Sequence, residues 1–195
     1  MSIKKIPTRE KIILATINCI EKGGIQGVTI RGIAKEAKVN SAAINYYFGT
    51  KEKLVDEALK RTLDEMSKMP EELLDSEDLA PRARLQAFFT ALMDGMFKWR
   101  GITKAHFYNP LMENNYNTLS VRRFNVFLAD LTNRIKGLKP KNNGKDLKIT
   151  IVQVISAIMI PALMPKIFRA FANINFENAE TRKSYVTKLL DHFFE

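Results

Sequence analysis

Cysteine is all but missing: Cys19 is the only one in 195 residues, so no disulfide can form within the chain. That usage fits a reducing compartment, and a cytoplasmic location is expected. Histidine is nearly as scarce, with His106 and His192 far apart, and no H-E-x-x-H, C-x-x-C, G-x-S-x-G or Gly-rich phosphate loop occurs. No metal, cofactor or catalytic role is therefore expected, and Cys19, on an isoleucine-rich segment, reads as a small core residue rather than a nucleophile. Long apolar runs are also absent. The longest uncharged stretch, Ile149 to Pro165, has 17 residues and includes Pro161 and Pro165, which imply a kink or break in a helix there. A spanning helix needs about 20 apolar residues, so this stretch reads as a helix buried on most sides, and no membrane partner is expected. The basic start, Met1 to Pro7, is followed by no uncharged apolar core of the kind a signal peptide carries, so export is not indicated. No internal repeat of solenoid length is present.

Positive charge, by contrast, is plentiful. The chain has 31 Lys+Arg against 21 Asp+Glu, a formal +10, which points to a polyanionic partner. Residues 1–53 hold 10 of those cations and only 4 carboxylates, so the excess is concentrated at the front. Aromatics are distributed the other way: of 12 phenylalanines, only Phe48 precedes residue 60. Two parts with different tasks are implied.

Apolar residues recur three and four apart almost everywhere, which predicts an all-α chain. A first helix is expected from Thr8, as N-cap, to Gly23-Gly24, burying Ile13, Ile17 and Ile20. A second opens at Thr29 with Ile30, Ile33, Ala34 and Ala37 on one face. Asn40-Ser41 caps a short third helix to Phe48, with Ile44 and Phe48 inward and Ala42, Asn45 and Tyr46 outward. Gly49-Thr50 ends it and opens a fourth carrying Leu54, Ala58, Thr62 and Met66. Beyond an acidic boundary interrupted by Pro70, helices are expected over about 80–99, 103–112, 118–137, 145–171 and 179–194, with turns at Asn142-Asn143-Gly144 and Asn173-Ile174-Asn175.

The second and third helices, joined by Ala37-Lys38-Val39-Asn40, form a helix-turn-helix unit whose second helix can enter a major groove. Its outer side chains, Ser41, Ala42, Asn45, Tyr46 and Tyr47, are small or flat enough for close approach to base edges and phosphates. Thr29 lies at one helix N-terminus and Thr50-Lys51 at another, where free N–H groups favour an anion. Lys51 and Lys53 oppose the dipole of the helix they open, a conflict that a phosphate would remove.

The stretch from Thr29-Ile-Arg-Gly-Ile-Ala-Lys to Phe48-Gly-Thr-Lys-Glu-Lys-Leu54 resembles the DNA-binding domain of the TetR/AcrR family of bacterial one-component regulators. With the preceding helix the resemblance covers residues 8 to about 60. It implies a helix-turn-helix domain over 1–53 and a helical ligand-binding and dimerisation domain over 54–195. The implied protein is a dimeric repressor on a near-palindromic operator, released by a small apolar ligand. Position by position, Thr29, Tyr46, Tyr47 and Lys51 would hold phosphates, and Arg31, Ser41, Ala42 and Asn45 would lie at base edges, with Arg31 suited to guanine. Two positions depart from the family pattern. Lys38 stands where the turn usually has Gly, which implies a positive φ. Asn45 stands where Tyr is frequent, and its amide can pair with adenine.

The aromatic half supplies Phe89, Met93 and Phe97 on one helix, His106, Phe107 and Tyr108 on the next, Phe124 and Phe127 on a third, and Met159 further on. These side chains suit either a closed core or the lining of an apolar pocket, and the family resemblance implies a cavity among these helices. The segment 145–171 is apolar on most faces, including Ile149, Val152, Ile155, Ile158 and Ile160. With 179–194 it is expected to pair with a second subunit, Ile155 and Ile158 lying in the contact. The alternative from another class is a ligand- or anionic-lipid-binding helical protein without sequence-specific DNA binding.

Overall fold

The structure, a computed structural model, describes residues 6–66, 73–75, 78–135 and 147–194. The break at Pro70 and the Asn142-Asn143-Gly144 turn expected from the sequence lie outside these residues. In chain order the helices are α1 (Thr8–Gly23), a 3₁₀ turn (Ile25–Gly27), α2 (Ile30–Ala37), α3 (Ser41–Phe48), α4 (Lys51–Met66), α5 (Pro81–Lys98), α6 (Arg100–Met112), α7 (Leu119–Arg134), α8 (Leu147–Leu163), α9 (Pro165–Ala172) and α10 (Ala179–Phe193). They fall into two compact units, residues 1–65 with 101–121, and residues 66–100 with 122–195.

In the first unit the apolar stripes of α1 to α4 close on one core of Ile12, Ile20, Ile33, Ile44, Phe48, Leu54 and Ala58, joined by Ile102 and Ala105 of α6. Gly101 allows that last approach. A Cβ there would meet the Glu21 carbonyl oxygen at 2.4 Å, so α6 begins directly against the backbone of α1. The Glu21 carboxylate accepts the Ile102 N–H at 3.0 Å, satisfying one of the free donors of the α6 N-terminus. The boundary expected between residues 53 and 54 therefore falls inside α4, whose Leu54, Val55 and Ala58 pack into the same core as α1 to α3. The α1 cap also differs from expectation: Pro7 occupies the cap position, no side chain caps, and Thr8 is already helical. Proline's fixed φ suits the entry to a helix, where a missing N–H costs nothing.

The second unit packs α5, α8 and α10 around Leu85, Phe88, Phe89, Met93, Val154, Ile158, Val186 and Leu190. Pro161 lies inside α8 and cannot donate to the carbonyl four residues back, that of Ala157. Tyr185 of α10 supplies the missing donor: its hydroxyl reaches the Ala157 oxygen at 3.0 Å. Burial raises the pKa of that phenol, which keeps it protonated and able to donate.

The helix expected over 145–171, in which Pro161 and Pro165 imply a kink or break, is broken in two. It breaks at Met164, before Pro165, and α8 and α9 are bent by 88°. Proline disfavours helical geometry in the residue before it, so the chain turns there. Among the described residues no single helix is long and apolar enough to cross a membrane. Ile155 and Ile158, expected in the contact with a second subunit, are 4% and 0% exposed and belong to the chain's own core. The outward line of α8 is instead Val152, Ser156 and Ile160, four residues apart.

Candidate nucleic-acid interface

Every helix end around α3 is closed by a local side chain or backbone bond. Thr29 Oγ1 accepts the Gly32 N–H at 3.0 Å, Asn40 Oδ1 the Ala43 N–H at 2.8 Å, and Thr50 Oγ1 the Lys53 N–H at 3.2 Å. Each such cap is worth about 1 kcal/mol and fixes where its helix starts. The Thr29 and Thr50 hydroxyl protons are not spent in these bonds, so both groups can still donate to an anion. The end of α2 is closed by a Schellman arrangement: the Val39 N–H bonds the Ala34 oxygen at 3.0 Å and the Lys38 N–H the Lys35 oxygen at 3.3 Å. That geometry forces Lys38 into the left-handed region, φ 56° and ψ 46°, where a side chain costs about 1 kcal/mol relative to glycine. The positive φ inferred from the departure at this turn is therefore present.

With Ile44 and Phe48 buried, α3 turns Ala42, Asn45 and Tyr46 to solvent. Tyr46 is 83% exposed and Tyr47 41%, their rings meeting edge to face at 5.1 Å. A tyrosine ring this open contributes nothing to the core on which its helix is mounted. Three cations of the unit are paired with carboxylates. Lys22 pairs with Glu36, Arg9 with Glu57, and Arg61 with Glu10 and Glu65. Around α3, by contrast, Arg31, Lys35, Lys38, Lys51 and Lys53 carry no ion pair among the described residues. Arg31, Lys35 and Lys38 recur at i, i+4 and i+7, one exposed face running from α2 into the turn. Lys35 and Lys38 were not among the DNA-contact residues drawn from the sequence, although this spacing was readable there.

The nine aromatic, Met and His candidates for a ligand site are divided between the units: His106, Phe107 and Tyr108 belong to the first, and Phe89, Met93, Phe97, Phe124, Phe127 and Met159 to the second. In the second unit Phe127 stacks on Phe88 at 6.3 Å and on Phe124 at 6.2 Å, and Phe88 meets Phe89 edge to face at 5.0 Å. Phe89 and Met93 are closed into the core. Phe97 has the guanidinium groups of Arg100 and Arg182 over its ring, each at 4.9 Å. Arg100 is held by both oxygens of Glu177, whose pKa that contact lowers, and Arg182 by Asp94 and two backbone carbonyls.

His106 is 6% exposed and both ring nitrogens are engaged, Nε2 with Thr62 Oγ1 and Nδ1 with Ser120 Oγ, each at 2.9 Å. Thr62 spends its own proton on the Leu59 carbonyl at 2.8 Å, so its oxygen must accept from Nε2–H. Nδ1 is then the acceptor and Ser120 the donor, which assigns the tautomer. Burial pushes the imidazole pKa down to about 4, so the ring is neutral at pH 7. Tyr108 is likewise engaged, its hydroxyl oxygen accepting from Gln26 Nε2 at 2.6 Å. Among the described residues, no three His, Cys, Asp or Glu side chains gather as metal ligands would.

Comparison with known proteins matches residues 12–58 to the bacterial regulatory proteins of the tetR family. The HTH-type transcriptional regulator BetI of Burkholderia mallei is 29% identical over 86 residues, 44% of this chain and 44% of that protein. The chain thus aligns with less than half the length of that relative. BetI of Burkholderia cenocepacia is 21% identical over 150 residues, 73% of this chain and 77% of that one. Among solved structures, a TetR transcriptional regulator from Legionella pneumophila superposes with a TM-score of 0.69 at 15% identity, covering 98% of this chain and 100% of the other. At that identity the likeness concerns the fold.

Proposed function

Because the chain belongs to the tetR family of bacterial regulatory proteins, we propose that it is a sequence-specific DNA-binding transcriptional regulator. In this reading it is a repressor that grips a near-palindromic operator as a homodimer and lets go when a small apolar ligand binds. The observation that carries the reading is the outer face of α3. A helix pinned by two buried residues holds out Tyr46 and Asn45, and unpaired cations flank it. Phosphates would be held by Thr29, Tyr46, Tyr47 and Lys51, while Arg31, Ser41, Ala42 and Asn45 face base edges. Val152 and Ile160, both exposed on α8, support pairing of α8 and α10 with a second copy. The stacked rings of Phe124 and Phe127, both partly exposed, support an aromatic ligand surface in the second unit.

Selection from a random duplex library at physiological salt tests the core of this proposal. An inverted repeat should emerge with half-sites about one helical turn, or a multiple, apart, and binding should fall steeply with added salt. Tyr46→Ala or Lys51→Ala should abolish the enrichment. Intact protein that enriches no sequence, while being retained on anionic vesicles, would overturn the reading in favour of a lipid-binding protein.

A further inference from the structure

We propose that Lys38 is a DNA-backbone contact, a non-glycine residue kept at a left-handed position because its ammonium group grips a phosphate beside the reading helix. The inference rests on the DNA-binding reading above and adds to it a residue outside the set drawn from the sequence. Three observations carry it. The conformation is imposed: the Val39 N–H to Ala34 and Lys38 N–H to Lys35 bonds close α2 only with Lys38 at φ 56°. Glycine satisfies those bonds without strain and asparagine nearly so, hence lysine at this point serves something other than the turn. The side chain is exposed and carries no ion pair among the described residues, so its ammonium group is available to a phosphate. Finally, Lys38 stands three residues before Ser41 and continues the exposed line of Arg31 and Lys35. A lysine there can reach the strand that borders the groove into which α3 fits. Complementing the dipole at the end of α2 does not account for it, because Lys35 already puts a cation in the last turn.

The test compares Lys38→Gly, Lys38→Asn, Lys38→Arg and, as a control lysine further along α4, Lys60→Gln in the full-length protein. Binding is followed by fluorescence anisotropy over a salt series, on a labelled duplex carrying the selected inverted repeat and on one of scrambled sequence. Removing a phosphate contact lowers the slope of log K against log[salt] by about 0.9 per reading head and weakens both duplexes by the same factor. The Gly and Asn variants should show this, the Arg variant should keep the wild-type slope, and Lys60→Gln should leave it unchanged. A Gly variant that melts above wild type excludes unfolding as the cause of weaker binding. Wild-type slopes in both the Gly and Asn variants would overturn the proposal, as would an equal loss in Lys60→Gln. Weakening confined to the inverted repeat would overturn the backbone assignment in favour of a base. Wild-type protein that binds neither duplex removes the DNA-binding reading itself, an outcome separable from the others.

Discussion

Acidification should destabilise the first unit through His106, and the size of the effect follows from its surroundings. The ring is enclosed, neutral, and bonded on both nitrogens, with burial pushing its pKa down to about 4 from an ordinary 6.5. Because the folded-state value is depressed, the unfolded chain takes up a proton first as the pH falls. Stability is therefore full above about pH 6.5 and is lost at up to about 1.4 kcal/mol per pH unit between there and pH 4. At pH 5 the loss is about 2 kcal/mol, and below pH 4 it levels off near 3 kcal/mol. Two histidines give two resolvable Cε1–H resonances in a proton NMR titration, and the one absent from His106→Gln is assigned to His106. Its midpoint should lie well below 6. Glutamine can donate to Thr62 and accept from Ser120, so urea unfolding of the variant followed by circular dichroism should show a shallower loss between pH 7 and 5. A His106 midpoint near 6.5, or identical pH profiles for the two proteins, would refute the placement of this ring.

Tyr185→Phe leaves the Ala157 carbonyl without a donor beside Pro161, and a loss of about 1–3 kcal/mol is expected in denaturant unfolding. A variant as stable as wild type would mean that another group satisfies that oxygen. Lys38→Gly should raise the melting temperature by the equivalent of about 1 kcal/mol, since it removes the side chain from a left-handed position; a fall would contradict the turn geometry. Gly101→Ala drives a Cβ into the Glu21 backbone and should cost about 1–3 kcal/mol, with amide exchange rising along α1 and α6. On α8, Val152→Glu combined with Ile160→Glu should yield folded monomers in sedimentation, whereas Ile155→Asp should unfold the second unit. A stable dimer from the first pair would move the subunit contact elsewhere.

The helix-turn-helix unit was largely legible from the sequence. Thr29 and Asn40 act as the caps expected of them, Ile44 and Phe48 point inward, Tyr46 points outward, and Lys38 has the positive φ that its departure from glycine implied. The cap at Thr8 was misplaced by one residue because Pro7 fixes the chain entry by itself. In the second unit the sequence was far less informative. Segment 145–171 is apolar on most faces, so its periodicity carries no direction, and the two isoleucines assigned to a subunit contact proved to be core. Its break at Met164 was foreshadowed by the prolines, yet the donor that repairs the helix at Ala157 comes from Tyr185, 28 positions away.

What the sequence determined by itself are the features closed within a few residues: helix starts, the left-handed turn, the exposed face of α3 and the concentration of positive charge. Each depends on a backbone bond or an alternation of side chains that a short peptide already specifies. The tertiary structure alone decided the partners of His106, 44 and 14 positions distant, the approach of Gly101 to Glu21, the extension of the first unit to α6, and the outward line of α8. Those depend on which surfaces exclude water from one another, and apolar residues of similar size carry no address for the neighbour that will cover them.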